Sequence, residues 1–129
     1  MTEAPPDKRR QATVLIVDDE PDICTSLSLL MRMSNYRAIT AGHALMALDL
    51  LNETTPDLII SDYMMPWING RAFLQKVRER ESTSKVPTIL MSAVDPGEPR
   101  AWDAYLRKPA DVEELLQTVK RLLSERPHE

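Results

Sequence analysis

Three aspartates, a serine and a lysine occupy matching places in the chain. Asp18-Asp19 follow the apolar run Val14-Leu15-Ile16-Val17, and Asp62 follows Leu58-Ile59-Ile60-Ser61. Ser92 ends Thr88-Ile89-Leu90-Met91, and Lys108 ends Ala104-Tyr105-Leu106-Arg107, just before Pro109. If these runs are parallel strands, their carboxyl ends share one sheet edge, where open α/β sheets bind ligands. Three carboxylates, a hydroxyl and an ammonium then meet in one crevice. Crowded carboxylates raise each other's pKa unless a cation compensates. A small set of hard oxygen ligands with room for water suits Mg²⁺ better than a transition metal. Neither histidine supports zinc: His43 reads as a surface helix residue, and His128 lies in the tail. With Mg²⁺ and Lys108 beside it, Asp62 can act as a nucleophile toward a phosphoryl group and form an acyl phosphate. The two cations neutralise charge on the transferring oxygens, and Ser92 can donate a hydrogen bond to the product.

Each residue also has a plainer reading. Asp18-Asp19-Glu20-Pro21 suits a helix start, where acidic groups complement the dipole. Asp62 suits a turn, and Ser92 and Lys108 suit structural or surface positions. Singly these readings hold; five such residues on one expected edge favour the chemical reading.

The elements that must position them alternate. Short continuous apolar runs suit strands buried on both faces of a parallel sheet. Tyr36–Thr40 reads as a weaker strand nearer an edge, and 104–107 as the fifth. Helical spacing appears between the runs. Ile23, Leu27, Leu30 and Met31 form one stripe, with Pro21 at a tolerated first-turn position. Leu45, Leu48 and Leu51 form a second, with Ala44 and Ala47 beside it. A third helix runs from about Gly70 to Arg80 with Phe73, Leu74 and Val77 inward. The last starts at Asp111, which with Glu114 forms a capping box, and turns Val112, Leu115, Leu116, Val119, Leu122 and Leu123 inward. Alternating strands and helices predict an α/β domain with a mainly parallel sheet and right-handed crossovers.

The 129 residues suit one domain with a real core. Residues 1–12, with two prolines and Lys8-Arg9-Arg10, read as a flexible arm; 13–125 as the domain; 126–129 as a tail. No second domain is expected within these residues. A net charge of −4, from 16 basic and 20 acidic residues, argues against direct nucleic acid binding. No apolar run is long enough to cross a membrane, and the opening residues lack a signal peptide's apolar segment. One cysteine, Cys24, excludes an internal disulfide and reads as a buried, inert thiol. Together these fit the cytoplasm.

These residues resemble the receiver domain of two-component response regulators over about 13–125. The resemblance rests on VLIVDDEP at 14–21, SDYMMPWING at 61–70, MSA at 91–93 and YLRKP at 105–109. It implies a flavodoxin-like, doubly wound sheet of five parallel strands in the order 2-1-3-4-5. It implies that Asp62 accepts a phosphoryl group from a histidine kinase or phosphotransfer protein. Asp19, Asp62 and the Met64 carbonyl would ligate Mg²⁺, with Asp18 acting mostly through water. Lys108 would pair with the phosphoryl group, next to a cis Lys108–Pro109 bond. Ser92 and Tyr105 match the family's switch pair, in which the hydroxyl moves toward the phosphate and the ring turns inward. The chain would catalyse only its own phosphorylation and dephosphorylation, and act on a downstream protein target not identified by sequence.

One segment departs from that pattern. Only Val94-Asp95-Pro96-Gly97-Glu98-Pro99 lie between Ala93 and Arg100. Two prolines and a glycine disfavour a helix, so the helix between strands 4 and 5 should be shortened or missing, with at most one turn around 99–103. The family's usual signalling and dimerisation face would lack one wall, and whether a homodimer forms stays open. Trp102 either packs into the gap or stays exposed as a contact residue. Alternative functions are a phosphorylation-independent pseudo-receiver, which the intact acidic set counts against; an aspartate-nucleophile phosphatase, whose second aspartate is absent after Asp62-Tyr63; and a flavin carrier, for which no phosphate loop follows the first strand.

Overall fold

A computed structural model describes residues 11–125. Most of the expected arm, residues 1–10, and the tail at 126–129 lie outside that range. Five strands form the sheet: β1 (Thr13–Val17), β2 (Arg37–Ala41), β3 (Leu58–Asp62), β4 (Thr88–Ser92) and β5 (Ala104–Arg107). All neighbours are parallel, in the order β2-β1-β3-β4-β5. Among the described residues, three α-helices form the first three crossovers, α1 (Pro21–Met33), α2 (Ala44–Leu50) and α3 (Gly70–Glu79), and a fourth, α4 (Val112–Glu125), follows β5. A 3₁₀ turn at Glu81–Thr83 was not anticipated from sequence.

Side-chain alternation along each strand builds two cores. Leu15, Val17, Ile59 and Leu90 face Ala44, Ala47 and Leu51 of the α2 segment and Phe73, Leu74 and Val77 of α3. Val14, Ile16, Ile60, Ile89 and Leu106 face Met31 of α1 and Leu115, Val119 and Leu122 of α4. The middle strands β3 and β4 are buried throughout, which explains their unbroken apolar sequences.

The helix phases need two corrections. Leu45 is 48% exposed, because the small residues Ala44 and Ala47 make the close approach to the sheet. Val112 is 55% exposed, at the first position of α4, where the helix has not yet met the core. The expected cap holds: Asp111 Oδ2 accepts from the Glu114 amide at 3.0 Å.

No helix forms among residues 93–103, as the prolines and glycine predict, and the single turn around 99–103 is also absent. Trp102 is half-buried and packs against the α2/α3 core. Arg78 of α3 holds this segment. Its guanidinium donates to the Ser84 and Val86 carbonyls at 2.8 Å each and pairs with Asp103, while Nε donates to the Ala101 carbonyl at 3.0 Å. Arg71 adds a bond to the Glu98 carbonyl at 2.5 Å. Fixed arginine donors thus do the positioning that a helix would otherwise do.

Candidate functional site

The carboxyl ends of β1, β3, β4 and β5 converge as the apolar runs predict. Ligand oxygens of Asp18, Asp19 and Asp62 all lie within 4.8 Å of one another. Asp18 and Asp62 are buried at 3% and 7% exposure, and Asp19 is open to solvent. Lys108 Nζ lies 2.9 Å from Asp62 Oδ1 and 3.6 Å from Asp18 Oδ2. The Lys108–Pro109 bond is cis, as the resemblance implies.

Local structure fixes each carboxylate. Asp18 Oδ1 accepts from the Glu20 amide at 2.9 Å, which leaves its second oxygen toward Lys108. The plainer capping reading is not met for Asp18: Glu20 is the N-cap of α1 and has no side-chain cap bond, while Asp18 closes a local turn onto the Glu20 amide. Asp62 is the last residue of β3, and Gly70 packs directly over its carbonyl: a Cβ at Gly70 would sit 2.1 Å from that oxygen. Asn69 caps α3 by accepting from the Ala72 amide at 2.8 Å, and the Gly70 amide donates to the Tyr63 carbonyl at 2.7 Å. The loop between is thereby pinned at both ends. A groove of about 360 Å³ opens beside Asp19, lined by Tyr63, Met64, Met65, Pro66 and Asn69.

Electrostatics follow the crowding. Burial pushes the Asp18 carboxyl up; the Glu20 amide and Lys108 oppose this, and the neighbouring charges of Asp62 and Asp19 reinforce it. Burial by itself would lower Lys108, but its hydrogen bond to Asp62 and the charges of Asp62, Asp18 and Glu20 outweigh this and hold it up. Three carboxylates with one ammonium leave the cluster short of positive charge. An all-oxygen donor set with that deficit fits a hard divalent cation.

Ser92 and Tyr105 are adjacent, and neither side chain hydrogen-bonds Asp62. Ser92 Oγ donates to the Val94 carbonyl at 2.6 Å and accepts from the Val94 amide at 3.0 Å. The Tyr105 hydroxyl donates to the Ser92 carbonyl at 2.9 Å and lies 3.4 Å from that of Val94. His43, expected as a surface helix residue, is half-buried and caps α2, accepting from the Met46 amide through Nδ1 at 3.2 Å. Cys24 is half-buried, and its thiol donates to the Asp18 carbonyl at 3.2 Å. It is thus less enclosed than the buried thiol expected from sequence, and desolvation pushes it up.

Sequence reading missed Asn69, though an asparagine before a helical glycine carries a capping signal. It missed Arg78, whose carbonyl partners have no sequence signature.

Comparison with known proteins agrees with this geometry. A family model for the response regulator receiver domain matches residues 14–120. The chain is 34% identical over 116 residues to the DNA-binding dual master transcriptional regulator RpaA of Synechocystis sp., covering 85% of this chain and 48% of that protein. It is 28% identical over 119 residues to protein PilH of Pseudomonas aeruginosa, covering 88% of this chain and 98% of that one. The chain thus spans about half the length of several relatives it matches, RpaA among them. Among solved structures, chemotaxis response regulator CheY4 of Vibrio cholerae superposes with a TM-score of 0.80 at 29% identity, covering 87% of this chain and 98% of that one. Response regulator TrrA of Thermotoga maritima, solved in complex with Mg²⁺-BeF, gives 0.79 at 29% identity, over 87% and 99% of the two chains. With the five-stranded 2-1-3-4-5 sheet and the acidic cluster at its edge, these matches place the chain in the response regulator receiver domain family of two-component signalling.

Proposed function

We propose that this receiver domain is a switch that takes a phosphoryl group onto Asp62 from the phosphohistidine of a histidine kinase or phosphotransfer protein. One observation carries the reading: Lys108 Nζ sits 2.9 Å from Asp62 Oδ1, inside a cluster that gathers Asp18 and Asp19. An Asp62 oxygen attacks phosphorus, the P–O bond forms, and the P–N bond breaks with its electron pair returning to the donor imidazole. Lys108 stays beside the acceptor and offsets the charge of the transferred group. Asp18, Asp19, Asp62 and the Met64 carbonyl would hold Mg²⁺, which when bound supplies further charge neutralisation at the transferring oxygens. The chain catalyses no reaction but its own phosphorylation and dephosphorylation.

The output is a changed protein contact. Ser92 Oγ now bonds Val94 on both sides of its turn. Drawing that hydroxyl toward the phosphoryl group releases Val94, whose carbonyl is the longer, 3.4 Å partner of the Tyr105 hydroxyl. A local charge event thereby biases the β4–β5 segment. The domain works in the cytoplasm and acts on a protein target; nucleic acid contact is not assigned to this net-negative chain.

Intact mass after incubation with acetyl phosphate tests this. One added phosphoryl group, absent without Mg²⁺ and absent in Asp62→Asn, is expected. No addition to the wild type would overturn the reading and leave a phosphorylation-independent interaction module.

A further inference from the structure

Trp67 stands out in the loop that joins β3 to α3. Its ring is 74% exposed. Its backbone sits at φ 69°, the left-handed region that a bulky side chain rarely adopts. Glycine would occupy that position without the steric cost. Asn35 shares the conformation just past the end of α1, but asparagine tolerates it. One contact orients the Trp67 ring: His43 meets it edge-on, with centroids 4.8 Å apart and planes at 75°. His43 is itself fixed as the α2 cap over the Met46 amide. The fold therefore holds a strained tryptophan out in water against the His43 cap of α2; Met46, in the first turn of that helix, is 45% exposed, and Met64, three residues before Trp67, is 66% exposed. Pro66, the residue before Trp67, lines the groove together with Asp19, Met64 and Asn69, and Asp19 belongs to the acidic cluster.

We propose that the Trp67 ledge is a docking surface for the phosphohistidine protein that phosphorylates Asp62; the inference rests on the function proposed above. Continuity is the first argument. A protein that brings a phosphohistidine to Asp62 must cover the groove beside it, and Trp67 directly follows Pro66 of that groove's lining. Chemistry is the second. An exposed tryptophan anchors protein interfaces, and flanking methionines adapt to the partner's shape. Charge is the third. The same edge carries Asp18, Asp19, Glu20 and Asp22, so the partner's apolar contact is ringed by basic side chains. A second copy of this chain, at net charge −4, would bring like charge instead.

The test compares two donors on wild type, Trp67→Ala, Trp67→Phe and Trp67→Gly. One donor is acetyl phosphate. The other is the fastest of a panel of purified, autophosphorylated histidine-kinase cores. Transfer from the kinase should fall at least tenfold in Trp67→Ala, recover in part in Trp67→Phe, and fall in Trp67→Gly although that variant unfolds at a higher urea concentration. Labelling by acetyl phosphate should stay within twofold throughout. Equal kinase transfer in wild type and Trp67→Ala would overturn the proposal. So would an equal loss with both donors, which would place Trp67 in the reacting site, and so would acetyl phosphate labelling with no transfer from any kinase. Failure of acetyl phosphate to label the wild type would overturn the function on which the proposal rests, and is distinguishable from all of these.

Discussion

Replacing Gly70 with alanine tests how tightly the acceptor loop is built. The new Cβ would lie 2.1 Å from the Asp62 carbonyl oxygen, 2.9 Å from its carbon and 2.9 Å from Leu90 Cδ1. Reaching even a tight contact of about 3 Å requires the start of α3 to move roughly 0.9 Å from the end of β3. Overpacking of this kind costs about 1–3 kcal/mol. The movement also stretches the 2.7 Å bond from the Gly70 amide to the Tyr63 carbonyl, worth about 1 kcal/mol. Alanine's better helix propensity returns at most about 1 kcal/mol. The net loss is about 1–3 kcal/mol. With an unfolding entropy of about 0.24 kcal/mol/K for a domain of this size, Tm falls by roughly 4–12 °C. Urea unfolding of Gly70→Ala beside Gly42→Ala makes the comparison. A Cβ at Gly42 meets nothing within 4 Å, so that variant should match wild type within about 0.5 kcal/mol or gain slightly. Equal stability of the two variants would refute the packing argument, and with it the claim that Gly70 sets the position of Asp62.

Arg78→Ala removes the donors that hold Ser84, Val86, Ala101 and Asp103. Its expected cost is about 2–3 kcal/mol, with faster hydrogen exchange at the Asp103 amide, which bonds the Thr88 carbonyl at 3.0 Å; unchanged exchange there would count against a clamp. Burial pushes the Tyr36 phenol up from 10.0. The folded state therefore holds that proton more tightly, so its stabilising contribution is fully present below pH 10 and is lost as pH rises through the raised value; Tyr36→Phe should flatten this alkaline decline in a urea midpoint series. Mg²⁺ at ten times its Kd should add about 1.4 kcal/mol of stability, reversed by EDTA and absent in Asp19→Asn, as read by thermal unfolding.

The chemical edge was legible because each site residue ends an apolar run, and the runs become strands β1, β3, β4 and β5. Burial on both faces forces such continuous runs, so Asp18, Asp62, Ser92 and Lys108 announce the strand ends. The irregular 93–103 segment was legible too, from Pro96, Gly97 and Pro99. What holds it was not, since Arg78 bonds backbone carbonyls that any sequence supplies. The α2 phase was misread because apolar residues occur on every side of ALMALDL, and only the approach of the sheet selects Ala44 and Ala47. Trp67 gave no warning: its left-handed backbone and its contact with His43 are set by the fold around the loop.

The central claim is that Asp62 itself carries the phosphoryl group. Treating the acetyl phosphate-labelled protein with sodium borohydride reduces an aspartyl phosphate to homoserine, and peptide mapping reads its position. Homoserine at position 62, dependent on both donor and Mg²⁺, is the predicted result. Homoserine at position 18 or 19, or none at 62 in protein whose intact mass shows the added group, would contradict the account.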